Sequence, residues 1–353
     1  MKVGIISLLS ESSKMIGKEC RDYFDKVEMI NIRDVNVSSS TNSLETLYNA
    51  KKLDTFDCLY LRGSYKNALL LRAISECYLN TTYLPIKPDS FTIGHDKFLT
   101  ILELQKHGID IPKTYVASTI SSAKKILETV NYPVMVKIPS GTHGKGVMVA
   151  DSYAAASSVL DTLEVFKQPY IIQDYVETNA TDVRAIVLGD KVVAAMRRKA
   201  SNGELRANIH MGGKGTPIEL DYNTERIAVK AARAVGAEIC AIDILESRKP
   251  KVIEVNLSPG LRGITSVTKK NVAGKVAKFL SERTKEFTEN KKKENIKEII
   301  GVIDKDKNEI ITNLDIKLGR IRLPQIISKL ADIKDEEEVV IKVVKGRIEI
   351  EKH

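Results

Sequence analysis

Lys137 with the glycine-bearing segment Ser140-Gly-Thr-His-Gly-Lys-Gly146 close behind it, and Asp243, Glu254 and Asn256 much later, are the residues whose types and spacing could do chemistry. Gly141, Gly144 and Gly146 carry no side chains and permit positive φ, so backbone N–H groups there can turn toward anionic oxygens while Lys137 supplies a positive charge. Two carboxylates and an amide are the hard oxygen donors that magnesium takes. Together they point to phosphate chemistry on ATP, with Mg2+ as the ion and Mn2+ as its alternative. The segment is no Walker loop, because Lys145 is followed by Gly146 and no helix opens directly behind it. Taken alone, such a glycine cluster is equally an ordinary hairpin turn.

The elements that must position these residues can be read from periodicity. Val134-Met-Val-Lys-Ile138 and Val147-Met-Val-Ala150 are apolar over strand length, so the glycine segment joins two strands. Val252-Ile-Glu-Val-Asn256 is a third strand, whose period of two puts Glu254 and Asn256 on one face. Ile239 to Leu245 forms a fourth, and Ser247-Arg-Lys-Pro250 has the composition of a tight turn between them. If the turn is tight, Glu246 faces Lys251 and, counting back, Asp243 faces Glu254. The same spacing also allows a half-exposed hairpin with its polar residues in solvent.

A larger pattern surrounds these pieces. In chain order come Asp96-Lys97, the Pro133-Val-Met-Val-Lys137 strand with its glycine loop, Gln173-Asp-Tyr-Val176 and Asp182-Val-Arg184. Leu205-Arg-Ala-Asn-Ile-His210 with Gly212-Gly213 follows, and then Glu254-Val-Asn-Leu-Ser-Pro-Gly260. The set resembles the ATP-grasp ligases, and most of all the RimK-like α-L-glutamate ligases, over about residues 90 to 280. The resemblance implies an α/β fold of α+β lobes, with an open α/β pre-ATP-grasp domain in front. It implies Lys97 and Lys137 as contacts to ATP phosphates or adenine, and Gln173, Asp174, Tyr175 and Val176 as the segment between lobes that reads the adenine edge. Asp182 falls near the ribose, Arg206 and Asn208 beside the γ-phosphate, and Asp243, Glu254 and Asn256 at the metal.

The implied reaction makes a carboxylate electrophilic by phosphorylating it, after which the amine of glutamate displaces phosphate. Charge spread over the transferred oxygens is met by metal ions, with Glu254 as their bridge and Arg206 as the phosphoryl clamp. Arg197, Arg198 and Arg206 are candidate donors to the tetrahedral oxyanion, and the expected catalytic set is Arg206, Arg197 and Asn208.

Some residues depart from the family pattern. Leu261-Arg-Gly-Ile-Thr265 stands where Leu-Glu-Gly-Ile-Glu is usual, so Arg262 either favours a more anionic acceptor or faces solvent. Arg206-Ala207-Asn208 lacks the usual middle serine, and the stretch from Asp174 to Asp182 runs one residue short. The acceptor stays open between a protein C-terminus, a glutamyl-tailed coenzyme and an amino-group carrier protein. An ATP-grasp ligase for a different amine is a competing reading, because fold alone does not choose the amine.

At 353 residues the chain exceeds one typical core. The expected division is an N-terminal α/β domain (1–95), a small lobe (96–173), a large lobe (174–283), a charged linker (284–297) and a small β-rich domain (298–353). In the first, Val3 to Ile6 and Cys58 to Leu61 read as strands and Ala68 to Leu79 as a helix, and Arg62 after the second strand is a candidate substrate contact. A helix from Glu225 to Val235 should close at Gly236. Cys20, Cys58, Cys77 and Cys240 lack C-x-x-C spacing, the five histidines lack zinc spacing, and no apolar run reaches membrane-spanning length. A cytoplasmic enzyme with no membrane partner is expected.

The last domain carries Gly319-Arg-Ile-Arg-Leu-Pro324, a helical Gln325 to Leu330, and strands Glu338 to Val344 and Arg347 to Glu351. It resembles the swapped-hairpin half-barrel of AbrB-type domains, which implies a homo-oligomer. Such domains often bind DNA, and the formal charge of +9 raises a nucleotide-sensing DNA-binding regulator as an alternative. Against it, Asp332 to Glu338 is acidic and the lysines are spread along the chain, so nucleic acid is not the expected partner.

Overall fold

The computed structural model describes residues 1–141, 146–200 and 214–301, the short strands 303–304, 309–310, 315–317 and 320–322, and segments 338–345 and 347–352, with side chains described to 293 and again from 338. Two units divide the chain, Met1–Glu289 and Asn290–His353.

The first unit opens with β1 (Lys2–Ser7), α1 (Glu11–Cys20) and β2 (Lys26–Asn31). A meander follows of β3 (Val35–Ser40), β4 (Ser43–Tyr48) and β5 (Lys51–Lys52), then β6 (Cys58–Leu61), α2 (Ala68–Tyr78) and α3 (Pro88–Gly94). Strands β2, β1 and β6 form a parallel sheet in that order. Val3, Ile5, Ile6, Leu59 and Tyr60 have no exposed surface, the continuous apolar signature of a sheet covered on both faces. The meander has no counterpart in the sequence reading, because the polar run Ser38-Ser-Ser-Thr-Asn-Ser43 lacks the apolar alternation that marks a strand.

Next come α4 (Lys97–Lys106), β7 (Thr114–Tyr115), α5 (Ile120–Leu127), β8 (Val134–Lys137), β9 (Val147–Ala150), α6 (Tyr153–Val165) and β10 (Ile171–Asp174). Asp96 caps α4 by accepting from the N–H groups of Phe98 and Leu99. Strands β7, β10, β8 and β9 form an antiparallel sheet with its own core of Leu127, Val134, Val136, Leu160 and Ile172. The two strands flanking the glycine segment pair with Lys137 opposite Val147, as strand-length apolar runs require.

After these come β11 (Thr181–Leu188), β12 (Lys191–Lys199), β13 (Lys214–Pro217), α7 (Tyr222–Val235), β14 (Ile239–Leu245), β15 (Lys251–Asn256), α8 (Arg262–Thr268) and α9 (Val272–Gly301). Their antiparallel sheet runs β13-β12-β11-β14-β15. Helix α7 closes at Gly236 with φ of 75° and packs on β14 and β15. Val183, Ala185, Val187, Ile242 and Ile244 are fully buried on one face of the sheet. Each large aliphatic side chain so buried stabilises the fold by about 1.5–3 kcal/mol. Asp182, Arg184 and Asp243 take alternate positions on the same strands, together with Ile186 and Ala241.

One register differs from the expectation. Leu245, and not Glu246, faces Lys251, and Ile244 faces Val252. Ile253 is then an extra residue in β15, a bulge that restores Asp243 opposite Glu254.

Residues 284–297 lie within α9, which runs to Gly301. The second unit contains antiparallel pairs β16 (Ile303–Asp304) with β17 (Glu309–Ile310), β18 (Asp315–Lys317) with β19 (Arg320–Arg322), and β20 (Val339–Val344) with β21 (Arg347–Lys352). Gly319, Leu323, Pro324 and the expected helix Gln325 to Leu330 lie outside the described residues. No described helix is long and apolar enough to cross a membrane.

Candidate active site

The register of four strands assembles a row of charges on one face of the five-stranded sheet. Asp182 on β11 stands opposite Arg198 on β12, Arg184 on β11 opposite Asp243 on β14, and Asp243 opposite Glu254 on β15. Arg184 grips Asp243 with both arms of its fork, Nε to Oδ1 at 2.8 Å and a terminal nitrogen to Oδ2 at 2.7 Å. Arg198 does the same to Asp182 at 2.6 and 2.8 Å and also reaches Asp243 Oδ2 at 2.8 Å.

These contacts separate the three carboxylates electrostatically. Burial works against ionisation of Asp243, but Arg184 and Arg198 outweigh it and hold the carboxyl well below the usual range. Burial pushes Asp182 up to about 6 against the pull of Arg198, with the nearby Asp243 charge adding to the rise. Glu254 is raised by burial and by Asp243, and forms no ion pair with a described residue. It is the acid of the row left available to a ligand.

The lysines come from the other side. Lys137 at the end of β8 donates to Gln173 Oε1, and Gln173 is held in that orientation by donating from Nε2 to Thr114 Oγ1 at 2.8 Å. Lys97, the first residue of α4, donates to the carbonyls of Pro139 at 3.4 Å and Gly141 at 3.5 Å, the near end of the glycine segment. Ile138 N–H donates to Gly146 O at 2.8 Å and closes the base of that segment. Gly146 has φ of 76°, and a Cβ there would meet the Ile138 side chain at 3.1 Å, so the position requires glycine. Burial, reinforced by Lys97, lowers the Lys137 ammonium to about 8, and burial lowers Lys97 as well. Glu254 pulls both upward, which puts the lysines and the last acid of the row in one electrostatic environment.

The N-terminal domain fixes the chain just beyond β15. Arg62 is buried, donating to Ser13 Oγ at 3.1 Å, Tyr60 Oη at 2.8 Å and the Pro259 carbonyl at 2.7 Å. Gly63 N–H donates to Ser258 Oγ at 3.0 Å, and Leu261 N–H to Ser12 Oγ at 2.9 Å. Ser258 N–H in turn donates to Asn256 Oδ1 at 3.0 Å. Arg62 thus works inside the fold, where three of its N–H groups are engaged, one of them on the loop that follows Asn256.

Not every expected residue joins this group. Arg197 lies on the opposite face from Arg198 and makes a two-pronged pair with Glu246 at 2.6 and 2.7 Å. Asp174 is partly buried with Oδ1 lacking a partner among the described residues, and Tyr175 and Val176 follow it, also partly buried. Arg262 is exposed at the start of α8. Gly144, Arg206 and Asn208 lie outside the described residues. Sequence reasoning gave Arg184 no role; its place between two acids was findable only from the pairing of β11 with β14.

The donor set can be tested against a nucleotide and its metal. Among the described residues, no group of three His, Cys, Asp or Glu side chains comes together for a metal. Two carboxylates and one amide fit instead the way magnesium binds when phosphate oxygens and water complete its octahedron. The lysines fit phosphate equally well, since both are half-buried against neutral oxygens with no described carboxylate bonded to them. The residues present therefore suit Mg2+ and ATP together better than a metal alone.

Comparison with known proteins gives the same direction. A family model described as the RimK-like ATP-grasp domain matches residues 94–280. Among curated proteins, a "Probable alpha-L-glutamate ligase" of Cellvibrio japonicus is 33% identical over 294 residues, 82% of this chain and 98% of that protein. One of the same name from Vibrio cholerae is 32% identical over 296 residues, 81% of this chain and 98% of its own. Among solved structures, the ATP-grasp ligase PsnB complexed with minimal precursor, Mg and ADP superposes with a TM-score of 0.62 at 16% identity, covering 80% of this chain and 98% of that one. The RimK domain ATP-grasp protein of Sphaerobacter thermophilus gives 0.61 at 16% identity, covering 79% and 99%. D-cycloserine synthetase DcsG gives 0.60 at 16% identity, covering 80% and 100%. At that identity the superpositions speak for the fold.

Proposed function

The chain belongs to the RimK-like ATP-grasp family of amide-bond-forming ligases, and from that premise we propose that it joins the amine of L-glutamate to an acceptor carboxylate activated as an acylphosphate. The supporting observation is the geometry of the charges, Lys97 bonded at the near end of the glycine segment, Lys137 at the end of the strand before it, and Asp243 opposite Glu254 in the neighbouring sheet. The glutamate assignment draws on the curated relatives named as alpha-L-glutamate ligases.

In this proposal Lys137 and Lys97 hold phosphate oxygens, and the glycine segment lies over them. Asp243, Glu254 and Asn256 hold Mg2+, which when bound supplies charge neutralisation to the transferred phosphoryl group. Glu254 is the ligand that can move onto the metal without leaving a partner behind, whereas Asp243 keeps Arg184 and Arg198 at its side. Arg206 and Asn208 are proposed to clamp the transferred group. Of the arginines expected to serve the oxyanion, Arg198 stands on the ionic face, and Arg197 is proposed no further for that task. Asp174 to Val176 are proposed to meet the adenine edge, Asp174 Oδ1 being a buried acceptor with no described donor. Asp182, engaged by Arg198, serves the nucleotide through that pair. Arg262 is exposed at the head of α8, in keeping with the solvent-facing alternative, and a role toward an anionic acceptor stays a proposal.

The second unit is proposed as a dimerisation appendage. Pairing in the β20–β21 hairpin puts Ile341, Val343, Ile348 and Ile350 on one face, and they are 40–72% exposed. An isolated two-stranded hairpin is marginal in water, so a second copy covering this face accounts for its apolar composition. The reaction is assigned to the cytoplasm, in keeping with the free, buried Cys20, Cys58 and Cys240.

The test is ADP release with peptides bearing a free C-terminal carboxylate and with glutamyl-tailed coenzymes, each offered glutamate or another amino acid or a polyamine. Glutamate is expected to support turnover with one acceptor class. Turnover with another amine, and none with glutamate, would replace the assignment with an ATP-grasp ligase of different specificity.

A further inference from the structure

A second concave site lies where the turn Gly108–Asp110 after α4, the exposed side of α7 and the β14–β15 turn meet. It has a volume of about 280 Å3, and Arg226, Lys230, Arg248 and Lys249 line it against one carboxylate, Asp110. The ionic row and the two lysines of the nucleotide site contribute nothing to this lining.

Surface cations are usually solvated singly or paired with a neighbouring acid. Here two neighbouring acids are engaged elsewhere, Glu246 with Arg197 and Glu225 with the N–H of Val192, which leaves Asp110 as one carboxylate against four cations. Arg226 bonds the neutral Asn223 amide oxygen at 3.3 Å, and no carboxylate among the described residues forms an ion pair with any of the four cations. The hollow is also held in shape. Val252 N–H donates to Asp110 O at 2.9 Å and Lys251 Nζ to Ile111 O at 3.3 Å, tying the first turn to the start of β15. Four cations without a described acidic partner, set around a preformed hollow, concentrate positive potential there and favour an anion.

The chemistry of the lining selects the kind of anion. The N–H groups of Gly108 and Ile109 already donate to Gln105 and Leu104 carbonyls, so there is no nest of free amides for one compact phosphate. The charge comes from long side chains on two elements. Arg226 and Lys230 are one helical turn apart, about 6 Å, which suits successive acidic side chains better than the oxygens of a single phosphate. Guanidinium forks take carboxylates in pairs of bonds.

We propose that this cavity binds an acidic peptide segment through its side-chain carboxylates, at a place separate from the catalytic face. The glutamate-ligase reading enters as the source of such a segment, a glutamate-rich acceptor or product; the site itself rests on the cavity and its cations.

Fluorescein-labelled tetraglutamate titrated into the full-length protein, without ATP or Mg2+, tests this by anisotropy. Binding is expected that weakens with salt and falls about tenfold or more in Arg226→Ala/Arg248→Ala, with melting temperature and ligase turnover on an acceptor without acidic side chains unchanged. Lys18→Ala/Arg21→Ala, which removes the same charge from exposed positions on and beside α1, should bind as the parent does. No binding, an equal loss in the α1 variant, or displacement of the peptide by an equal concentration of pyrophosphate would overturn the proposal. Because binding is read without turnover, its failure is distinct from failure of the ligase assignment.

Discussion

The two sides of the candidate active site hold charge in opposite ways. On the five-stranded sheet, Asp182, Arg198, Asp243 and Arg184 face opposite charges across three strands, so burial is offset inside the protein. On the other side, Lys97 and Lys137 are half-buried against carbonyl and amide oxygens with no ion pair to a described residue, and Glu254 offsets their charge only in part. The row of acids and arginines is therefore part of what keeps that sheet folded, whereas the lysines are held ready for a ligand at some cost to the protein. Glu254 belongs by position to the first group and by its lack of a described ion pair to the second.

Substitutions separate the two. Asp243→Asn leaves Arg184 without its charged partner, and loss of one member of a buried pair typically costs about 3–5 kcal/mol. Urea or thermal unfolding should show that loss together with loss of ligation; an unchanged melting temperature would break the contrast. Glu254→Gln should lower turnover by about 100- to 1000-fold, the usual effect of removing one group that stabilises developing charge, while leaving stability at or above the parent. Lys137→Met should weaken ATP binding by about 10- to 100-fold, as expected when a charged hydrogen bond is lost, again with no fall in stability, because a partly desolvated ammonium has been removed.

The smallest effect is in pH. Lys137 binds phosphate in its protonated form, and burial places its ionisation near 8, so the protonated fraction falls as pH rises through that value. The dissociation constant for ATP should rise by about tenfold between pH 7 and 9, one proton being taken up on binding above pH 8. Lys137→Arg keeps its charge across that range and should flatten the slope, which calorimetry at three pH values would show. The same group makes the unliganded protein more stable as pH rises from about 8 toward the unfolded lysine value of about 10.4, because the penalty on the partly desolvated charge disappears.

Strands and glycine punctuation were legible wherever side-chain period matched burial. Ile239 to Leu245 is the strand read from the sequence, and Gly236 closes α7 as expected. Asp243 faces Glu254 as counted, yet for a different reason: the turn begins one residue earlier, and the bulge at Ile253 cancels the offset. Two compensating irregularities leave no mark on a period of two. Arg197 and Arg198 show the limit most clearly. Adjacent and identical in type, they fall on opposite faces, and only the pairing of Asp182 with Arg198 tells which one joins the acids. Arg62 was beyond reach for another reason, since the carbonyl it holds, Pro259, is 197 residues away. Side-chain roles set by contacts across that much chain have no local signal.

The most direct test is incorporation of labelled glutamate into an extract of the source cells by purified protein with Mg2+ and ATP, split into protein and small-molecule fractions, with Glu254→Gln in parallel. Label that appears in one fraction with the parent protein and vanishes with the variant is the result this account requires. Equal label with parent and variant, or none in either fraction from a protein that binds ATP, would contradict it.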